Sequence, residues 1–302
     1  MNAVKATFLC LALAASLPAG LAHAVDVTTS PTLSKIKSSG TISIGHRTSS
    51  IPFSYYDSNQ KVIGFSQDLC DRVVDEVKKQ TKQPNLQVRM VPVTSQNRIS
   101  LVQNGTVDLE CGVTTNLKSR QQQVAFSTTF FVAGTRLLVK KGSPVHDFSD
   151  LSGKAAVTNA GTTSERILRR LNDEKKANIT IQSAKDYGES FLILQSGRVA
   201  AFMMDDVLLS GARTLAPNPA EWMVVGTPQS FEAYGFMLRK DDPGFKQLVD
   251  GVLTGVMKSG EINTLYDKWF LKPVPPKNIN FEFPMSEPVK KAYANPNDEA
   301  FE

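Results

Sequence analysis

The sequence predicts an α/β protein of two lobes, each a mixed, mostly parallel sheet with flanking helices, joined by two crossings of the chain. Three observations carry that prediction. Strand-like and helix-like segments alternate, the signature of layered α/β structure with mainly parallel strands. The alternation stops near residue 140 and begins again. Two extended apolar stretches, "AGTRLLVKK" (133–141) and "EAYGFMLRK" (232–240), bracket the second run. They read as the crossings, so lobe 1 comprises 25–135 and 238–302 and lobe 2 comprises 136–237. A chain of 302 residues is long enough for two such units.

Residues 1–24 stand apart. Lys5 precedes the apolar stretch "ATFLCLALAASLPAGLA", and Ala22-His23-Ala24 fits a small-x-small cleavage site. The unbroken apolar run is too short to span a bilayer, so a cleavable signal peptide is expected, with export to the periplasm. Its removal takes Lys5 and lowers the formal charge from +5 to +4. Hydrophobic content of 41% and charged content of 21% are those of a soluble globular chain. The basic residues are dispersed, without the stripe or motif that nucleic-acid binding requires. Cys70 and Cys111 remain after cleavage. An oxidising compartment would permit pairing, but one sits near a helix start and the other in a core strand. Two separately buried thiols are the favoured expectation.

Lobe 1 opens with a helix at Ser30-Pro31 that Gly40 closes. "TISIG" is a strand, and "FSYYD" and "KVIGF" pair around Ser58-Asn59. Leu69, Val73, Val74 and Val77 are spaced for a helix over 67–80. "LQVRMVPV", "QNRISLVQNG" and "VDLECG" continue as strand, helix and strand. In lobe 2, "AAVTNA", "ITIQSA" and "VAAFMMDD" are strands, with helices at "TTSERILRRLNDEKK" and "GESFLILQSG". Thr162-x-x-Glu165 matches a capping box. Segments 99–113 and 191–205 overlay at an offset of 92 residues, which pairs Val113 with Asp205 and Ser95 with Tyr187. A duplicated lobe plan would aim equivalent strand ends at one cleft, where open α/β sheets bind ligands. A helix opening at Asp242-Pro243 and "INTLYDKWF" return to lobe 1. The tail "KPVPPKNINFEFP" is too polar and broken for a third domain.

The stretch "ECGVTTNLKSR" (110–120) ends a core strand in a Gly and two threonines and places Arg120 five residues after Thr115. Arg120 reads either as a solvated helix residue or as a carboxylate holder. The Thr-rich loop, together with the capped helix at Thr163 in the other lobe, favours the second, because guanidinium groups and free helix amides both bind carboxylates. Asp205 and Asp206 end an apolar strand; one suits the cap of the next helix and the other an ammonium. An anion holder facing a cation holder describes a site for a zwitterion. Arg47 and Arg98, with Ser95, are either solvated or a further positive set suited to a second carboxylate.

"HRTSSIPFSYYDSNQKVIGFSQDL", "VTSQNRISLVQNGTVDLECG", "TTNLKSRQQQVAFS", "AGTTSE", "SAKDYGESF", "AFMMDD" and "EAYGFMLRKDDPGFK" together resemble the periplasmic amino-acid-binding proteins of ABC importers, in particular their glutamate/aspartate-binding branch. The resemblance covers almost the whole chain after the leader. It implies the type II two-lobed periplasmic solute-binding fold, shared in outline with ligand-gated ion-channel domains. It further implies a monomer that delivers L-glutamate or L-aspartate to an inner-membrane permease. By position, it implies that Arg120 grips the α-carboxylate with the amides of Thr115 and around Thr163. The carbonyl of Val113, the hydroxyl of Thr115 and Asp205 would hold the ammonium. Arg47, Ser95 and Arg98 would address the side-chain carboxylate. Two positions depart from the branch: Tyr187 stands where His is expected, and Phe236 stands where a Cys is.

Two other functions fit the same scaffold. A dehydratase-like periplasmic enzyme needs a positioned acid or base, and His46 and His146 are the only histidines after the leader. No nucleophile motif and no Cys/His metal spacing is present, so neither a cofactor nor a metal is expected. A sensor that reports to a chemoreceptor needs the same closed state as an importer.

Overall fold

Each predicted element forms, because the cap and turn residues stand where the apolar periodicity ends. The computed structural model describes residues 29–300, so the leader read at 1–24 lies outside the described residues. Ser30 accepts the amide of Leu33 at 3.1 Å and opens α1 (Pro31–Ser39), and Gly40 closes it at φ 66°. β1 (Thr41–His46) follows. The short strands β2 (Ser49–Ser50), β3 (Ser54–Tyr56) and β4 (Val62–Ile63) form a separate antiparallel sheet. α2 (Phe65–Thr81) buries Leu69, Val73, Val74 and Val77 as their spacing requires. β5 (Gln87–Pro92), α3 (Arg98–Gln103), β6 (Leu109–Thr115), the single-turn α4 (Lys118–Gln121) and β7 (Ala125–Phe126) complete the first run.

The chain then crosses on β8 (Phe131–Lys140). β9 (Ala155–Asn159), α5 (Thr163–Lys175), β10 (Thr180–Ala184), α6 (Tyr187–Gln195), β11 (Ala201–Asp205), α7 (Asp206–Arg213) and β12 (Trp222–Val225) build the second run. It returns on β13 (Phe231–Leu238), followed by α8 (Pro243–Lys258), α9 (Glu261–Tyr266) and α10 (Glu287–Ala294). The capping box at α5 forms in modified shape. Thr162 accepts the amide of Glu165, but the Glu165 carboxylate reaches past Thr162 to the amide of Gly161.

The main sheet runs β10-β9-β11-β8-β13-β6-β1-β5. The outer trios, β10-β9-β11 and β6-β1-β5, are parallel, and the two crossing strands are antiparallel to every neighbour. Residues 131–134 of β8 pair with β13, and residues 135–140 pair with β11 and β12. β13 changes partner likewise, from β8 to β6, with a register irregularity between Gly235 and Met237. The suspected repeat keeps its register: α3 and α6 end at Gln103 and Gln195, and β6 and β11 begin at Leu109 and Ala201. In each lobe the repeated strand lies between a parallel neighbour and a crossing strand.

Phe53, Phe65, Phe130, Phe131, Tyr234, Tyr266 and Phe270 form one buried aromatic cluster against the crossings. The tail wraps lobe 1 and, past the broken segment 272–284, adds α10. The Tyr293 hydroxyl donates to the carbonyl of Phe130 at 3.1 Å, and the carbonyl of Asp298 accepts from the side chains of Asn116 and Gln121. Lys277 reaches into lobe 2, where its ammonium donates to the carbonyls of Thr214, Leu215 and Ala216 just past α7. Among the described residues no helix is long and apolar enough to cross a membrane.

The cysteines correct the sequence expectation. Cys70 on α2 and Cys111 on β6 are not separate thiols but a disulfide, with Cα atoms 6.0 Å apart. α2 packs directly on β6, which sequence position alone did not reveal. The bond closes a loop of 41 residues, so replacing both cysteines with alanine should cost roughly 2–4 kcal/mol in denaturant unfolding. Thiol titration of the unfolded, unreduced mature protein should find no free thiol; a full count of two would overturn the pairing.

Candidate functional site

The C-terminal ends of β1 and β6 in lobe 1 face the ends of β9 and β11 in lobe 2, and the candidate residues gather there. Arg47 follows β1 directly. Ser95 lies in the turn before α3, and Arg98 is the first residue of that helix. Val113 and Thr115 end β6, and Arg120 stands on α4. Thr163 and Tyr187 each open a helix, and Asp205 ends β11. All nine are buried, none more than 9% exposed. The reading of these arginines as solvated surface charges therefore does not hold.

Contacts join most of them. Arg47 donates to Ser95 Oγ at 3.1 Å, and its guanidinium lies over the Tyr187 ring, 5.1 Å from the centroid. An aromatic face at 187 thus supports an arginine from the opposite lobe, as a cationic imidazole would not. Arg98 Nη1 donates to the Val113 carbonyl at 3.1 Å and to Thr114 Oγ1 at 2.6 Å. Arg120 donates to the Thr115 carbonyl at 2.9 Å and reaches across to the Gly161 carbonyl at 3.4 Å. The lobes are therefore in contact at this point. Gly161 adopts φ +78°, and a Cβ there would lie 2.9 Å from the Ser95 carbonyl, so the backbones approach only because the residue is glycine. Thr163 is linked to the set through Ser164, whose hydroxyl lies 3.4 Å from Asp205 Oδ1.

Sequence reasoning missed two carboxylates. Glu110 is fully buried on β6; its Oε2 accepts from Thr114, which in turn accepts from Arg98. Burial pushes the Arg98 pKa down and the Glu110 charge pulls it back up. Gly112 makes room for this arrangement, because a Cβ there would lie 2.1 Å from Glu110 Oε1 and 3.1 Å from Arg47 Cγ. Glu232 is buried on β13 and accepts from Thr115 at 2.7 Å and from Thr135 at 3.3 Å. Both acids occupy strand positions that read as ordinary polar alternation. The one signal was a charged residue inside an otherwise apolar strand.

Electrostatically the site is divided. Burial and the neighbouring Arg98 charge push Arg120 down to about 9, which leaves it cationic at neutral pH. Burial, and then the charge of Glu232, pushes Asp205 up to about 8. Asp205 accepts from Thr135 at 3.1 Å and from the Tyr234 hydroxyl. Asp206 instead accepts the amides of Gly134 and Val207, so it is the acid that serves the start of α7. The arrangement presents buried donors on one side and buried acceptors on the other, a surface for a small zwitterion. No group of acidic, His or Cys side chains among the described residues could hold a metal.

The model of bacterial extracellular solute-binding proteins, family 3, matches residues 42–272. The chain belongs to that family. It is 55% identical over 290 residues to the glutamate/aspartate import solute-binding protein of Escherichia coli K12, covering 95% of this chain and 96% of that one. The L-glutamate/L-aspartate-binding protein of Pseudomonas aeruginosa is 57% identical over 272 residues, 90% of each chain. A solved ancestral arginine-binding protein bound to arginine superposes with a TM-score of 0.69 at 29% identity, covering 76% of this chain and 98% of that one. The fold is thus the type II two-lobed solute-binding architecture, and the close relatives of this family member are transport binding proteins, not enzymes.

The raised Asp205 pKa sets a pH dependence. An unfolded aspartate loses its proton near pH 4 and the folded group near 8. Between those values the folded protein holds the extra proton, so stability falls as pH rises, by up to roughly 1.4 kcal/mol per unit. Below about 4 and above about 8 that slope vanishes. Thermal melts of protein freed of bound ligand should therefore decline more steeply from pH 5 to 8 in the native sequence than in Asp205→Asn. Parallel curves would show that Asp205 does not hold this proton.

Proposed function

We propose that this protein captures an acidic amino acid, L-glutamate or L-aspartate, between its lobes and presents the closed complex to the permease of an ABC importer. The observation that carries the reading is the set of three buried guanidinium groups, Arg47, Arg98 and Arg120, converging from lobe 1 on the strand ends that carry Asp205 in lobe 2. One carboxylate and one ammonium need a single arginine and a single acid. The surplus positive charge suits a ligand with a second carboxylate. The names of the close relatives in Escherichia coli and Pseudomonas aeruginosa agree.

In this reading Arg120 takes the α-carboxylate in bidentate fashion, assisted by the Thr115 amide and by the amides of Thr163 and its neighbours, which open α5 without intrahelical partners. Asp205, Thr115 Oγ1 and the Val113 carbonyl take the ammonium. The carbonyl has two lone pairs, one of which already accepts from Arg98. Arg47, held by Ser95 and the Tyr187 ring, takes the side-chain carboxylate with Arg98. The lobes comprise 25–135 with 238–302, and 136–237, and closure is a hinge motion of the two crossing strands, where each changes sheet partner. The work takes place in the periplasm, reached by way of the leader at 1–24.

Isothermal titration of mature protein, stripped of ligand by unfolding and refolding, tests the assignment against glutamate, aspartate, glutamine and asparagine. Dissociation constants of about 1 μM or tighter are expected for the acids, equivalent to about −8 kcal/mol, with the amides far weaker. Arg47→Met should weaken glutamate binding roughly 10- to 100-fold, the loss of one charge-assisted contact, and narrow the gap to glutamine. Amides that bind as well as the acids would sink the ligand assignment and leave the fold standing.

A further inference from the structure

Glu232 is a buried acid that the proposed ligand set does not use. It lies on the return crossing β13, opposite Ala133 of β8, and is 2% exposed. Its hydrogen-bond partners among the described residues are hydroxyls from three segments: Thr115 of lobe 1 at 2.7 Å, Thr135 of β8 at 3.3 Å, and Ser230. A carboxylate sequestered with hydroxyls alone is a costly arrangement unless a cation comes to it. The charged and titratable groups that face this pocket are Arg120 from α4, Asp205 from β11, Asp206 from α7, and Tyr234 from β13 itself.

Two consequences follow from that geometry. A threonine hydroxyl has one proton and two lone pairs. Because Thr115 gives its proton to Glu232, its oxygen has only lone pairs left to offer the site, and it can receive an ammonium but cannot donate. Thr135 also bridges the two acids, at 3.1 Å from Asp205 and 3.3 Å from Glu232. Burial, and then the Glu232 charge beside it, disfavours a second negative charge at Asp205, so Asp205 keeps its proton until the ligand's cation arrives.

We propose that Glu232 is a positioning residue for the ammonium subsite: it turns the Thr115 hydroxyl into an obligate acceptor and stands across Thr135 from Asp205, so that the ligand's ammonium displaces the proton held on Asp205. The proposal rests on the reading of the cleft as an α-amino-acid site. The exchange balances in charge. One cationic ammonium enters the pocket, one proton leaves to solvent, and the acid pair goes from one negative charge to two. A ligand without the ammonium would meet an acceptor-only pocket and gain nothing there.

Titration calorimetry of glutamate at pH 7 in two buffers of different ionisation enthalpy gives both affinity and the protons exchanged. The native protein should release about one proton per ligand bound. Glu232→Gln should bind glutamate at least tenfold more weakly and release markedly fewer protons. Its ligand-free melting temperature should not fall, since a buried charge is gone; a purely structural role would lower it and leave the proton count alone. Glu232→Asp keeps the charge but shortens the reach, so it should retain proton release with an affinity between the two, and it serves as the test if the glutamine variant does not fold. Glutamate affinity within threefold of native in Glu232→Gln would overturn the proposal, as would an affinity equal to native in Glu232→Asp or weakened binding with unchanged proton release in Glu232→Gln. Native protein that binds neither glutamate nor aspartate would instead sink the function proposed above, and this role with it.

Discussion

Charge buried between the lobes has to be balanced, and much of the architecture serves that constraint. An ion withdrawn from water costs several kcal/mol unless partners replace its hydration. Lobe 1 withdraws Arg47, Arg98 and Arg120, and Glu110 lies behind them with Thr114 as the intermediary to Arg98. On the other side Asp205 and Glu232 are withdrawn with mostly hydroxyl partners. Neither set satisfies the other fully, since each guanidinium contacts carbonyls, hydroxyls or a ring and, among the described residues, none forms an ion pair with an acid. A small zwitterion inserted between them would supply the missing partner to both. That incompleteness is what separates a binding cleft from a structural salt-bridge network.

The crossings join the two halves of the sheet beside the candidate site. β8 and β13 are single strands that each belong to both halves of the sheet, and their change of partner falls beside the acids. Beneath them the aromatic cluster makes the lobe 1 side stiff, and the disulfide ties α2 to β6, the strand that carries Val113 and Thr115. The tail fastens the loop from which Arg120 emerges, through the Asp298 carbonyl. Lys277 makes a separate bridge to the end of α7, the helix whose other end follows Asp205. The candidate residues of lobe 1 are therefore held from behind.

Element boundaries were legible because they obey local rules. Ser30, Gly40, Thr162 and Asp242 act at helix ends through their own side chains or φ angles, which nearby sequence suffices to predict. The nine candidate residues were named through motif resemblance, and the fold buries them together near strand and helix ends. Glu110 and Glu232 were not, because a lone acid in a strand points to solvent or to the core according to which strands flank it. Those flanking strands, β1 and β13 for Glu110, and β8 for Glu232, lie far away in the chain. The pairing of Cys70 with Cys111 was missed for the same reason: it depends on how α2 lies across β6.

By itself the sequence determined the α/β class, the two runs of alternating elements and the identity of the charged residues at the strand ends, since propensity, capping and periodicity act over a few residues. Only the tertiary structure decided which of those charges leave water, that Asp205 bonds to hydroxyls and Asp206 to backbone amides, and that the cysteines are joined. Burial and pairing are properties of surfaces brought together from distant parts of the chain. Local rules carry no information about which surface will meet which.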